Sequence, residues 1–169
     1  MSTTPVREEM PYRRCVGVVV FNAAGKVWAG RRIIDSETPM SHRWQLPQGG
    51  IDKGEDTLLA ARRELFEETG IQTVELLAES AKWLNYDLPD EILGTGLKGK
   101  YRGQTQKWFA FRFQGDESEI NISEPPDGAE PEFDKWEWKN LRQMADLVVP
   151  FKRELYLDVI SEFEKFSDE

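Results

Sequence analysis

Glu64, Glu67 and Glu68 are the residues whose type and spacing best suit chemistry. Advanced at 100° per residue along a helix, Glu67 lies at about 300° and Glu68 at about 40° from Glu64. The three carboxylates therefore share roughly a quarter of the wheel. An acidic helical face is ordinarily a solvated one, but this one is locally costly. Like charges at i,i+3 and i,i+4 repel by roughly a few tenths of a kcal/mol per pair. No lysine is mixed in, and Glu67 and Glu68 fall in the last turn, where the helix dipole disfavours anions. A local cost of this kind points to function. Magnesium or manganese would relieve the repulsion, because hard cations prefer carboxylate oxygens. Divalent ions held this way suit metal-assisted hydrolysis: they neutralise an anionic substrate, lower the pKa of a bound water and clamp the leaving oxygen. A carboxylate then serves as general base. Glu64 and a later loop residue, Glu132, are the candidates.

These residues need a helix over Asp56 to Thr69, with start signals in Gly54 to Thr57 and a stop at Gly70. Its apolar side is expected at Leu58, Leu59, Leu65, Phe66 and Thr69, with Arg62 at the edge, leaving the glutamates on an exposed face. Ahead of the helix, Trp44 to Pro47 reads as short and extended, and Gln48-Gly49-Gly50 lets backbone approach a ligand. Arg14 to Phe21 reads as a buried strand, Asn22 to Gly25 as a turn and Lys26 to Ala29 as a hairpin partner. Arg31 to Arg43 is a polar loop that holds His42. Val74 to Ala78, Lys82 to Leu88, Gln106 to Phe113 and Phe133 to Trp138 read as further strands, with loops over Pro89 to Gly103 and Glu124 to Pro131. Trp83, Trp108, Trp136 and Trp138 are expected in the core. Pro150 to Phe166 reads as an amphipathic helix. Lys152 and Arg153 open it, where cations oppose the dipole and favour a phosphate partner. Met1 to Met10 reads as a loose polar tail.

The chain of 169 residues suits one domain, without internal repeat or linker. A net charge of −9 argues against an extended nucleic-acid footprint. It leaves room for the phosphates of one nucleotide or one RNA 5′ end, since bound metal reverses the local sign. The lone Cys15 excludes an internal disulfide framework, suits a reducing cytosol and reads as a small buried hydrophobe. No apolar h-region and no bilayer-spanning stretch is visible, so a cytoplasmic location with no membrane partner is expected. The oligomeric state is not legible.

Gly49, five residues, Glu55, seven residues, Arg63-Glu64-Leu65, one residue, Glu67-Glu68, one residue, Gly70-Ile71 resembles the Nudix box at each defined position. The chain is identified as a member of the Nudix hydrolase superfamily. The resemblance implies an α/β fold: an α/β/α sandwich with a mixed β-sheet and a loop–helix–loop metal site. The implied domain covers residues 11–156, between a tail at 1–10 and the end of the last helix and tail at 157–169. The cofactor implied is a divalent cation: magnesium, or else manganese or zinc. Its implied ligands are Glu64, Glu67, Glu68 and Glu132, with Gly49 and Gly50 offering backbone groups to metal or phosphate. Glu64, Glu68 and Glu132 would be catalytic, while Gly50, Glu55, Arg63 and Gly70 keep the box in shape, Arg63 by pairing with Glu55.

Further strings narrow the resemblance. Pro11-Tyr12-Arg13, Pro47 to Gly50, Trp83 to Pro89, Gly103 to Phe109, Pro131 to Trp136 and Val149 to Arg153 are similar to bacterial RNA pyrophosphohydrolases and plant-type diadenosine tetraphosphate hydrolases. That likeness places Arg13, Arg32 and Lys152 near the phosphates and Phe151 against a nucleobase, a stack worth roughly 1–3 kcal/mol, with Tyr86 bordering the same pocket. It implies removal of pyrophosphate from triphosphorylated RNA 5′ ends, asymmetric hydrolysis of diadenosine tetraphosphate-like dinucleotides, or both. Two features bear on that choice: a longer loop at Asp35 to Ser41, and Lys98, Lys100 and Arg102 in the Gly94 to Gly103 loop. The alternatives are a Nudix pyrophosphatase for oxidised nucleotides or ADP-ribose, and a non-catalytic nucleotide sensor, which the complete set of box carboxylates disfavours.

Overall fold

Strand β1 (Tyr12–Phe21) organises the molecule. In this computed structural model, which describes residues 6–33, 40–128 and 130–167, every apolar residue from Cys15 to Phe21 is fully enclosed. Alternate side chains of a strand face opposite ways. Val16, Val18 and Val20 enter one core, and Val19 and Phe21 the other. A strand covered on both faces reads as a continuous apolar run, which is why this segment shows no polar alternation.

One edge of β1 pairs in parallel with β7 (Gly103–Phe113), from Tyr12 opposite Gly103 to Phe21 opposite Arg112. β7 also pairs antiparallel with β5 (Val74–Glu79) and β6 (Leu84–Asp87). The other edge of β1 turns through Asn22, whose side chain accepts from Ala24 and Lys26 N–H, into β2 (Val27–Arg32). β2 pairs with β3 (Trp44–Gln45) and β8 (Phe133–Lys139). The same edge of β1 takes β4 (Gln48–Gly50) in antiparallel register, Cys15 opposite Gly50 and Gly17 opposite Gln48. Helix α1 (Thr57–Thr69) covers one face. Helices α2 (Met144–Leu147) and α3 (Arg153–Phe163) cover the other. The result is the expected mixed sheet between helical layers.

Several elements differ from expectation. Pairing with β8 carries β2 to Arg32, so Arg31 and Arg32 leave the anticipated loop. Within the supposed loose tail, Arg7 to Glu9 form a 3-10 turn, and Arg7 donates to Leu88 O at 2.7 Å and pairs with Asp90. Trp83 precedes β6 and is half-buried under the Arg14 guanidinium at 4.8 Å, whereas Trp108 is fully buried as expected. Trp136 and Trp138 are half-buried, stacked edge-to-face on one another. The last helix begins only at Arg153, after a 3-10 turn at Pro150–Lys152. α2 was not anticipated. Residues 35–39 of the longer loop, and the Lys98 side chain, lie outside the described residues.

Candidate active site

Asp56 starts α1 by accepting N–H bonds from Leu58 and Leu59 at 3.1 and 3.2 Å, as an N-cap should. Gly70 ends it in the left-handed region at φ 80°, its N–H on Phe66 O, a conformation glycine adopts without Cβ strain. The rotation of the helix between these caps differs from the wheel expectation. Ala60, Ala61, Leu65 and Thr69 are buried, while Leu59 and Phe66 are 61% and 36% exposed. Ala60 and Leu65 bracket Glu64 and Glu68 on the wheel. The acidic face is therefore turned toward the sheet edge, not toward solvent. Small alanines let the helix approach β1 closely, and the leucine and phenylalanine expected inside are left on the outer side.

β4 lies against this face. A Cβ on Gly49 would overlap the Glu64 carboxylate, and one on Gly50 would overlap the Arg13 guanidinium. Only glycine at both positions lets acid and base crowd the strand. The floor and walls form a cleft of about 290 Å³ lined by Arg13, Gln45, Gln48, Gly49, Gly50, Glu64, Glu67, Glu68, Glu130 and Glu132. Glu130 and Glu132 reach it from the loop before β8.

Arg63 is the hub of the acidic cluster. Its Nε and Nη2 grip Glu55 in a bidentate pair, both at 2.8 Å, and Nη2 also donates to Gly50 O at 2.9 Å. Nη1 donates to Glu64 at 2.8 Å and to Glu67 at 3.2 Å. These hydrogen bonds hold the Glu55 carboxyl down to about 2. Glu68 is in the opposite condition. Its Oε1 accepts from Gln48 N–H at 3.3 Å, and its Oε2 is buried with no hydrogen-bond partner. Burial first, then the Glu64 and Glu132 charges, push its pKa well above the ordinary carboxylate range. Burial also raises Glu64, with Arg63 offsetting part of the effect.

Glu64 and Glu67 are drawn to Arg63, so among the described residues no three acidic, histidine or cysteine side chains are already gathered as a ligand set. The donor chemistry nonetheless fits a hard divalent cation. It is all carboxylate oxygen, and the orphaned Glu68 Oε2 sits where an added positive charge would relieve it.

A second cluster adjoins the cleft. Tyr86 and Phe151 lie 5.7 Å apart between ring centroids, and Lys152 Nζ stands 5.2 Å over the Tyr86 ring. Lys152 is 6% exposed, so its ammonium is held inside the fold and not out in solvent. Burial, then the Arg32 charge, push its ammonium down to about 8. Cys15 is buried beneath, as expected, its thiol raised to about 11 by burial.

Thus Arg13, Gly49, Gly50, Glu64, Glu67, Glu68 and Glu132 meet in one cleft, and Tyr86, Phe151 and Lys152 meet beside it with Arg32. Sequence reading missed Gln45 and Glu130, gave Gln48 little weight and left Gln104 and Gln106 without roles. The alternation Gln104-x-Gln106-x-Trp108 was the available signal, because it puts all three on one face of a strand.

The family model for the NUDIX domain matches residues 11–159. The chain is 58% identical over 159 residues to an RNA pyrophosphohydrolase of Brucella anthropi, covering 92% of this chain and 91% of that one. It is 56% identical over 163 residues to an RNA pyrophosphohydrolase of Agrobacterium fabrum, covering 95% and 96%. Among solved structures it resembles an Ap4A hydrolase of C. elegans in a binary complex, at TM-score 0.59 and 18% identity over 90% of this chain and 98% of that one. It also resembles the E. coli dihydroneopterin triphosphate pyrophosphohydrolase, at TM-score 0.61 and 18% identity over 86% and 94%. Both structural likenesses concern the fold.

Proposed function

Because the chain belongs to the NUDIX family, we propose that it is a divalent-metal-dependent pyrophosphohydrolase that removes pyrophosphate from triphosphorylated RNA 5′ ends. The observation that carries this reading is the identity of 56–58% to RNA pyrophosphohydrolases over nearly the whole of both chains. No described helix is long and apolar enough to cross a membrane, and we place the enzyme in the cytoplasm.

Glu64, Glu67, Glu68 and Glu132 would hold the cation, magnesium in the first instance, beside the Gly49 backbone. When bound, it neutralises phosphate charge and lowers the pKa of water. The protein's own groups do the rest. Arg13 offers a guanidinium at the mouth of the cleft, and Gly49 and Gly50 keep side chains out of the path of phosphate. Glu64 or Glu132 takes the proton of the attacking water, which bonds to phosphorus as the anhydride oxygen departs with pyrophosphate. Arg63, fixed by Glu55, keeps Glu64 and Glu67 beside β4. The Tyr86–Phe151 pair with Lys152 would seat the nucleobase and its neighbouring phosphate.

That aromatic pair also favours a second substrate, since a diadenosine tetraphosphate-like dinucleotide presents the same base and 5′-linked polyphosphate. The test is side-by-side kcat/KM with magnesium for triphosphorylated RNA and diadenosine tetraphosphate. Release of pyrophosphate from RNA supports the proposal. Preference for the dinucleotide by more than tenfold would move the assignment, and turnover of neither would end it.

A further inference from the structure

Three buried side chains with polar atoms on β7 form one hydrogen-bonded chain. Gln106 is fully buried, Gln104 is 3% exposed and the Trp108 indole is fully buried. Trp108 Nε1 donates to Gln106 Oε1 at 2.9 Å. Gln106 Nε2 donates to Gln104 Oε1 and to Gln48 Oε1, each at 2.7 Å. The chain of bonds crosses β1 where the residues facing it are small. A Cβ on Gly17 would overlap the Trp108 ring, and the neighbouring position is Cys15.

The direction of every bond in this chain follows from its first member. An indole N–H can only donate, so it must meet the oxygen of the Gln106 carboxamide. The Gln106 NH2 is then forced to face Gln48 and Gln104, and both must present oxygen to it. Their own NH2 groups are left pointing the other way. Neither Gln48 Nε2 nor Gln104 Nε2 bonds to a described residue, and neither is a fully buried, unpartnered atom. Gln48 lines the cleft beside Glu68, to which its backbone N–H donates. Gln104 stands on β7 between Arg13 on β1 and Tyr86 on β6.

We infer that Gln106 is a positioning residue, oriented by Trp108, which fixes the side-chain NH2 groups of Gln48 and Gln104 as hydrogen-bond donors to the polyphosphate. This rests on the pyrophosphohydrolase reading above. In a cleft lined with carboxylates, an amide free to rotate would turn its NH2 to a carboxylate in the substrate-free site and would have to reorient to meet phosphate. The buried network removes that freedom, so Gln48 shows a neutral donor to the cleft and Gln104 one beside Tyr86, whatever the state of the surrounding charges.

Gln106→Glu inverts the arrangement. A carboxylate still accepts the Trp108 N–H but cannot donate, so Gln48 and Gln104 turn their NH2 groups inward and show oxygen to the ligand. The KM for triphosphorylated RNA should rise about tenfold or more, as expected for losing a donor to a charged group, while kcat stays within about threefold. In 15N-resolved NMR, the Gln48 side-chain amide of the unmodified protein should shift on titration with magnesium pyrophosphate. In the Gln106→Glu protein it should be protected from exchange and no longer shift. Trp108→Phe tests the same link without adding a charge, and should raise KM and return the Gln48 amide to fast exchange between orientations. Gln48→Leu should raise KM on its own, and combined with Gln106→Glu should give less than the product of the two effects. A folded Gln106→Glu protein with unchanged KM, and a Gln48 amide that still shifts with magnesium pyrophosphate, would overturn the inference. The NMR arm needs no turnover, so an inactive protein that shows the amide switch would count against the substrate assignment alone.

Discussion

Residue 49 and the Glu64 carboxylate occupy one space: the carboxylate fills the position that a Cβ on Gly49 would take. A methyl group there must expel it. Gly49→Ala should lower kcat at least about a hundredfold, the scale of an ångström-sized misplacement of a catalytic group. The fold should survive, because the clash falls on the end of a side chain. Single-turnover rates with magnesium, alongside a thermal melt, test this. Near-normal kcat would show that Glu64 has no fixed place in the reaction.

Glu68→Gln should separate function from stability. The carboxylate has a buried oxygen without a partner and sits among like charges. A neutral amide relieves the repulsion, so the metal-free variant should melt higher than the parent while losing most activity. An exposed Glu68, as the helical wheel suggests, would make the change nearly neutral for the fold; its burial makes it stabilising. A lower melting temperature with activity retained would refute both parts.

The carboxyls also set a pH dependence. Glu64 and Glu68 are raised in the folded protein from an ordinary 4.5, so the folded state keeps protons that the unfolded chain releases. Their contribution to metal-free stability is present below pH 4.5 and is lost as pH rises through the folded values. Glu55 runs the other way. Held down to about 2 by Arg63, it stabilises above pH 4.5 and is lost as pH falls toward 2. Melts of the metal-free protein should therefore show stability declining from weakly acidic to neutral pH, with magnesium reducing the decline and Glu68→Gln flattening it. A profile unaffected by either would contradict the assignment.

Phe151→Ala tests the aromatic pair. If Phe151 stacks on a nucleobase, KM should rise between about fivefold and about 150-fold, corresponding to roughly 1–3 kcal/mol, with little change in kcat. A drop in melting temperature without a KM effect would make Phe151 only a packing partner for Tyr86.

Local rules made much of this molecule legible. Asp56 and Gly70 mark the ends of α1 because capping is decided within a turn of the chain. The run from Cys15 to Phe21 marks the central strand because both faces are covered. The rotation of α1 was not legible. Alanine carries little hydrophobic weight, so a wheel ranks Leu59 and Phe66 above Ala60 and Ala61, although close approach to β1 selects the smaller pair. The spacing that gathers Glu64, Glu67 and Glu68 is local and was readable. That Arg63 already holds two of them depends on Gly50 on β4 and Glu55 in the turn that follows it. The glutamine network was hidden for a related reason. Gln48 and Gln106 are 58 residues apart and meet only across β1.

The ten-rung parallel pairing of β1 with β7 has a consequence for how the chain must be made. Parallel neighbours need a long crossover between them, and here the partner of Tyr12 is Gly103. A ribosome has emitted β1, the hairpin and all of α1 well before β7 appears. Until then the apolar edge of β1 has no mate and is open to other chains. Folding should accordingly be slow for a protein of this size, and truncation before Gly103, which removes β7, should yield aggregates that retain no acidic cleft.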